Sequence, residues 1–415
     1  MARTLEEHLD PRMGPKRVLS LDGGGVRGIL TLGMLSALEA ELRRRANNPS
    51  LTLSDYYDLI GGTSTGAIIA AGLALGFATD DMIEMYGELG PQVFGKQAGD
   101  GVFIQSKFDG KKLRKALQAV LSTKTLGSAD LKTGLAIHAK RIDTGSAWVL
   151  TNHPGSKYWD TPADSGVYPN KRYRLIDLVL ASAAAPTFFD EVVIDIEYDG
   201  QNNPVQRGYF VDGAVSANNN PSMQLLLLAL EPAYPFKWGG GAQNLMMTSC
   251  GTGLRRPHVD GHSFSGLPPG VKGVHALRSM IYDTQMQGVM MMQALAEPAK
   301  PWFINAEIGD MRGGCILREP LLDYQRLDVI LDRKPKPPRG RRSKTPGPEE
   351  TVALEKLIGR NISWEACEAL DQLANGKPEN MSLLLEIGEC AGRSFIDANY
   401  PNPRFDLAAW RSQAA

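Results

Sequence analysis

The sequence predicts an α/β protein built on a parallel sheet, and three observations predict it. Short apolar runs alternate with helically patterned stretches, two of the runs end in glycine-rich turns, and each of those turns opens a helix. Residues 17–21 (Arg-Val-Leu-Ser-Leu) read as the first buried strand. After the turn at 22–28, Leu32, Leu35, Leu38 and Leu42 recur at spacings of three and four, the stripe of a helix packed on one face. Residues 55–60 read as a second strand, and 67–75, small and apolar throughout, as a buried helix. Strand, turn and helix in succession, twice, point to parallel pairing.

The second turn, Gly62-Thr63-Ser64-Thr65-Gly66, has the spacing G-x-S-x-G. A serine on a sharp strand-to-helix turn exposes its hydroxyl, and glycines two positions to either side relieve the crowding that such a turn creates. The helix that follows also directs its positive end toward Ser64. The first turn, Asp22-Gly23-Gly24-Gly25-Val26-Arg27-Gly28, admits two functional readings. Gly23, Gly25 and Gly28 fit G-x-G-x-x-G, a dinucleotide fingerprint that also requires an acidic residue at the end of the next strand. Here the next strand runs into the serine turn instead. The other reading is an anion cradle of successive N–H groups at a helix start. In acyl transfer such donors receive the oxyanion and contribute about 3–4 kcal/mol each. A tight turn without a ligand is the plain alternative.

Asp212-Gly213 is on its own a common turn. Residues 208–211 read as a strand, which places Asp212 at a strand's C-terminal end, where open α/β sheets gather their sites. Asn218-Asn219-Asn220-Pro221 then opens an apolar helix over 225–230. His258 and His262 follow Asp212 in the chain order of a Ser, Asp, His triad. Both fall in a Gly/Pro-rich loop, where histidines are usually just solvated.

The combination D-G-G-G-x-R-G, G-T-S-T-G and D-G-A resembles the patatin-like phospholipases. So do the segment Ala181-Ser182-Ala183-Ala184-Ala185-Pro186-Thr187-Phe188-Phe189 and the run from Asp212 through Pro221. The resemblance covers most of residues 15–332 and, more loosely, 351–405. It implies a three-layer α/β/α sandwich with a mainly parallel central sheet, and a Ser-Asp dyad that uses no cofactor and no metal. Ser64 would be the nucleophile and Asp212 the base. The N–H groups of Gly24 and Gly25, with Gly23, would form the oxyanion hole, and Arg27 would support that loop. Gly62, Gly66 and Gly213 would support the motifs. The implied reaction is hydrolysis of a fatty-acyl ester in a phospholipid, a lysophospholipid or a neutral lipid. An acyltransferase would use the same residues, and a nucleotide- or phosphate-binding module would use loop 23–28 alone.

Composition sets the remaining expectations. A chain of 415 residues with 43% hydrophobic content can bury a sizeable core. A formal net charge of −1 gives no general attraction to nucleic acid. Cys250, Cys315, Cys367 and Cys390 are scattered without metal spacing and read as reduced thiols. Residues 1–16 read as an N-terminal extension with no long apolar stretch, and no uncharged segment suffices to span a bilayer, so a cytoplasmic protein is expected. A catalytic domain is expected over 17–332, a basic Pro-rich disordered loop over 333–350, and a helical part packed on the main domain over 351–415. Seven Lys and Arg residues lie between 333 and 344. That tract is either a solvated linker or an electrostatic tether to anionic lipid, at about 1 kcal/mol per basic residue. Residues 280–295, with Met286 and Met290-Met291-Met292, read as helix core or as a pliable wall for acyl chains. Oligomeric state is not legible.

Overall fold

β1 (Lys16–Leu21) is buried along its whole length, as a strand must be when it has a sheet neighbour on each edge and a helical layer on each face. The structure is a computed structural model that describes residues 3–94, 108, 110–162, 165–186, 188–199, 201, 203–256, 264–332, 349–396 and 400–407. The other strands are β2 (Leu59–Thr63), β3 (Gly134–Arg141), β4 (Ala147–Thr151), β5 (Val192–Tyr198), β6 (Pro204–Asp212), β7 (Leu245–Cys250) and β8 (Asp323–Leu327). Among the described residues they form one sheet in the order β5-β6-β3-β2-β1-β7-β8, with β4 also on β3. β3, β2, β1, β7 and β8 run parallel. β4, β5 and β6 add an antiparallel flank.

The helices are α1 (Leu5–Leu9), α2 (Gly28–Ala46), α3 (Leu53–Tyr56), α4 (Thr65–Ala74), α5 (Thr79–Phe94), α6 (Gly110–Leu121), α7 (Leu175–Ala183) and α8 (Ser222–Leu230). They continue with α9 (Pro269–Leu295), α10 (Glu349–Ile358), α11 (Trp364–Leu370) and α12 (Pro378–Phe395). Side-chain alternation along the strands divides the apolar core in two. Leu19, Leu21, Ile60, Leu135 and Ile137 face a large core shared with α2, α4, α5, α7 and α12. Val18, Leu59, Ala136, Leu245, Met247 and Tyr324 face a smaller core shared with α8 and the second half of α9. Sheet between two helical layers is the three-layer α/β/α architecture, with its main sheet parallel.

The register on β3 decides where the site forms. β2 pairs with β3 as far as Thr63 opposite His138, and β6 pairs with β3 from Asp212 opposite Ala139 onward. β4 overlaps both partners along β3, so it must occupy the other edge. β6 therefore continues the edge that β2 leaves, and Asp212 takes the position immediately beyond Thr63.

Two local readings differ from expectation. Residues 55–60 are not one strand. The Asp55 carboxylate accepts hydrogen bonds from the Thr52 N–H and hydroxyl, a reciprocal cap that winds 53–56 into α3, and β2 begins only at Leu59. At the other end of the chain, 349 and 350 already belong to α10, while 333–348 and 408–415 lie outside the described residues. The segments after β8 are tightly joined to the rest. α12 packs along α2, Arg17 Nε donates to Phe405 O at 2.7 Å, and Tyr400 and Tyr57 both bond Thr248 Oγ1. The four cysteines are free; Cys250 and Cys367 are buried. Among the described residues, no helix is long and apolar enough to cross a membrane.

Candidate active site

Ser64 sits between β2 and α4 at φ 55° and ψ −123°, a conformation that L-residues rarely adopt. The flanking glycines make that turn possible. A Cβ on Gly62 would run into the carbonyl of Gly66, and one on Gly66 into the carbonyl of Leu21. The strained backbone is fastened by Ser182, near the end of α7. Its hydroxyl accepts the Ser64 N–H at 2.8 Å and donates to His138 O at 2.5 Å. Ser182→Ala would leave that buried N–H without an acceptor, at about 1–3 kcal/mol. The expected result is an unfolding free energy lower by that amount in urea titration.

The Ser64 hydroxyl donates to Asp212 Oδ2 at 2.7 Å, and the other carboxylate oxygen, Oδ1, accepts the Ala214 N–H at 2.8 Å. Asp212 is 3% exposed and Ser64 8%. Burial pushes the Asp212 carboxyl up to about 6, against the lowering effect of its two donors. Gly213 follows where a Cβ would strike His138 O. His138 was not anticipated. It is fully buried, its Nδ1 lies 3.1 Å from Gly62 O, and burial lowers its pKa to about 4. Nδ1 is taken up by the Gly62 carbonyl, and Nε2 is buried without a hydrogen-bond partner among the described residues. His258 and His262 lie outside the described residues.

The glycine turn lies directly beside the serine, since a Cβ on Gly23 would stand 3.2 Å from Ser64 Cβ. The expected three donors divide here. The Gly23 N–H is occupied, donating to Asn219 O at 3.0 Å, because the Asn218-Asn219-Asn220 segment crosses the turn at that point. Gly23 is thus not an available donor. Among the described residues the N–H groups of Gly24 and Gly25 have no protein acceptor. Gly25 adopts φ 57° and is held from outside by residue 373: the adjacent Val26 N–H donates to Leu373 O at 2.9 Å. Arg27 is half-buried, its charge opposed by Asp371 and Asp328, and its Nε has no hydrogen-bond partner among the described residues.

Beneath the turn is a buried ionic cluster that sequence reading missed. Arg326 on β8 grips Asp22 with two bonds, Nη1 to Oδ1 at 3.0 Å and Nη2 to Oδ2 at 2.6 Å. The same guanidinium reaches Asp328 Oδ2 at 2.7 Å and Ser249 Oγ at 2.8 Å. Gln285 on α9 donates to Asp22 at 2.8 Å and accepts from Asn219 Nδ2 at 3.3 Å. Thr252 Oγ1 donates to Gly23 O at 3.3 Å. The turn is therefore fixed from below by Arg326, Gln285 and Thr252, and from the side by residue 373. The arrangement sets a buried carboxylate on a serine hydroxyl, beside two N–H groups that have no protein acceptor among the described residues.

Residues 19–226 match the family described as patatin-like phospholipase. Among curated proteins, Patatin-1-Kuras 2 of Solanum tuberosum is 29% identical over 248 residues, covering 57% of this chain and 62% of that protein. Patatin group A-3 of the same plant is 30% identical over 251 residues, covering 57% and 60%. The chain thus spans about 60% of the length of these relatives. Among solved structures, human GIVD cytosolic phospholipase A2 aligns with a TM-score of 0.49 and 12% identity, covering 98% of this chain and 62% of that one. VipD from Legionella pneumophila aligns with a TM-score of 0.31 and 14% identity, covering 89% and 67%.

Proposed function

Because this chain belongs to the patatin-like phospholipase family, we propose that it is a lipid acyl hydrolase that works through an acyl-serine on Ser64. The observation that carries the reading is the 2.7 Å bond from Ser64 Oγ to Asp212 Oδ2, on a strained turn beside two unoccupied N–H donors. Ser64 Oγ adds to the ester carbonyl carbon while its proton passes to Asp212. The carbonyl oxygen becomes an oxyanion on Gly24 and Gly25 N–H. Collapse of this intermediate breaks the ester bond, and Asp212 returns the proton to the departing alkoxide. Water, deprotonated in turn by Asp212, releases the fatty acid. An acceptor alcohol in place of that water would give acyl transfer.

A carboxylate at its ordinary pKa is a weak base for a hydroxyl, and burial of Asp212 strengthens it. An apolar acyl chain is supported by Phe108, Phe188 and Phe189, whose rings pack at centroid distances of 6.0 Å. They lie just beyond Ala184, whose carbonyl accepts the Asp212 N–H at 2.9 Å.

The test is fluorophosphonate labelling with hydrolysis of a short-chain ester, for wild type and a His258→Ala/His262→Ala variant. Labelling of Ser64 with both proteins equally active is expected. Dependence on the histidines would replace the dyad by a triad. Retained nucleotide in unlabelled, inactive protein would return the glycine turn to phosphate binding. A second expectation concerns pH. Asp212 must be ionised to accept the proton, so kcat/KM should rise with pH through about 6 and then level. A limb near 4 would mean a solvated carboxylate instead of the buried one.

A further inference from the structure

Arg27 and Arg278 carry charge beside the glycine turn without a protein partner for it. The turn that contains Arg27 is held by other residues: the Val26 N–H donates to Leu373 O at 2.9 Å, and Arg326 grips Asp22. Among the described residues the Arg27 guanidinium makes no hydrogen bond and no ion pair, and its Nε is buried without a partner. Two acids lie within electrostatic reach of it, Asp371 and Asp328. Each is paired with another arginine, Asp371 with Arg255 Nη1 at 2.9 Å and Asp328 with Arg326 Nη2 at 2.7 Å. Arg278 is exposed, and among the described residues it too makes no hydrogen bond and no ion pair.

α9 brings the two arginines together. Gln285 donates to Asp22 Oδ2 at 2.8 Å, so its face of α9 meets the start of the glycine turn. Arg278 precedes Gln285 by two helical turns, which returns it to within about 20° of the same face and about 10 Å further along the axis. From Gln285 the helix descends to Ala296, which bridges to Leu322 just before β8. The preceding residues therefore rise past the catalytic edge, and Arg278 stands over the turn that Asp22 opens. Burial lowers the Arg27 pKa from its ordinary value, Asp371 and Asp328 oppose that shift, and the charge of Arg278 adds to it. Like charges that face each other without ion pairs repel, and an anion between them is attracted to both. The planar guanidinium fork matches a phosphate, which accepts paired N–H groups from each arginine. Gly24 and Gly25, whose N–H groups have no protein acceptor among the described residues, lie just before Arg27 in the same turn. A glycerophospholipid carries its phosphate on the same glycerol as its ester. An ester carbonyl at those N–H groups therefore keeps the phosphate within reach of the two arginines.

We propose that Arg278 and Arg27 form a subsite for the phosphate of the substrate, which makes that substrate a phospholipid or lysophospholipid and not a neutral acylglycerol. The identity of the substrate rests on the lipid-hydrolase reading; the phosphate site itself does not. Arg278→Gln removes charge from an exposed position outside residues 19–226, where the family match lies, and an unchanged thermal midpoint checks that the fold is kept. Binding is read by calorimetry with two soluble ethers that no esterase cleaves, an octyl ether of glycerol and its phosphate, and with inorganic phosphate. Wild type is expected to prefer the phosphate-bearing ether. Arg278→Gln is expected to lose about tenfold to hundredfold of that preference, with Arg278→Lys between. With ester substrates, the ratio of kcat/KM for lysophosphatidic acid over the matching monoacylglycerol is expected to fall likewise. Equal binding of the two ethers by wild type overturns the proposal, as does a preference that Arg278→Gln keeps. Inorganic phosphate bound as tightly as the ether phosphate also overturns it, making this a site for free phosphate. A preference that the variant loses, in a protein that cleaves neither ester, upholds the phosphate site and removes the hydrolase. Ester cleavage that is indifferent to the phosphate in both proteins overturns the subsite and leaves the hydrolase.

Discussion

Ser64→Ala is expected to lower kcat for any acyl ester by about 10⁴-fold or more, Asp212→Asn by about 10³- to 10⁴-fold, and the double variant no further than Ser64→Ala. The non-additivity is the informative part. Asp212 takes the proton of Ser64, to which it is bonded at 2.7 Å, and its later work on the leaving alkoxide and on water needs the intermediates that Ser64 forms. Once the hydroxyl is gone no acyl-serine forms, and the carboxylate has no step of this route left to assist. Residual turnover would come from the Gly24 and Gly25 donors and from binding. If the double variant falls well below both single variants, the two residues act independently and the dyad is wrong. Fluorophosphonate labelling gives the same comparison without turnover: none in Ser64→Ala, and slowed but present in Asp212→Asn.

Asp212→Asn carries a second expectation, of opposite sign. A carboxyl raised from 3.8 to about 6 by burial is one whose ionised form the fold disfavours, by about 3 kcal/mol once fully ionised. Below 3.8 Asp212 is neutral whether folded or unfolded, and this cost is absent. As pH rises through about 6 the cost comes fully into force. Asparagine keeps the shape, and its oxygen can still accept the Ala214 N–H. The inactive variant is therefore expected to be more stable than wild type at pH 8, by up to about 3 kcal/mol, with the difference vanishing near pH 4. Urea unfolding at the two pH values measures it. A variant less stable at pH 8 would mean that the donors to Asp212 outweigh its desolvation.

The residues of the proposed site are also the positions most legible in the chain. The serine turn could be read because its requirements are local: a backbone at φ 55° and two glycines pressed against neighbouring carbonyls leave a pattern five residues long. Asp212 could be named, but not placed, from sequence. What brings it to Ser64 is consecutive pairing on β3, Thr63 at His138 and Asp212 at Ala139, between segments 149 residues apart. The glycine turn was legible as a cradle, whereas the loss of Gly23 to the Asn219 carbonyl depends on a loop folded across it from far along the chain. The strand expected at 55–60 failed for a local reason: Thr52 and Asp55 form a cap, and a four-residue helical turn outcompetes the strand there. Arg326 and residue 373 left no signature near the motifs. They come from segments beyond residue 226, where the family match ends, yet they hold the turn that the match contains.

Arg326→Met is expected to be the most damaging change outside the dyad. Asp22, Asp328 and Arg326 are all at most 4% exposed, and one guanidinium serves both carboxylates. Removing it leaves two buried carboxyl groups without their shared cation, with Asp22 already raised to about 6 by burial, a loss of about 3–5 kcal/mol. The loss falls unequally. Asp328 still accepts the Gly253 and Val329 N–H groups, both at 2.9 Å, whereas Asp22 keeps one side-chain donor, Gln285. Asp22 opens the glycine turn, so the strain is delivered to Gly24 and Gly25. Fluorophosphonate labelling of Ser64 is expected to slow about hundredfold, the scale of losing one preorganised donor. Arg326→Lys keeps the charge but not the planar fork, and should fall between. Asp22→Asn/Arg326→Met should be more stable than Arg326→Met alone above pH 6, because asparagine is neutral without having to bind a proton. If Arg326→Met unfolds at lower urea yet labels at the wild-type rate, the cluster supports the fold and does not set the turn. If Asp22→Asn gives no relief, the strain lies at Asp328.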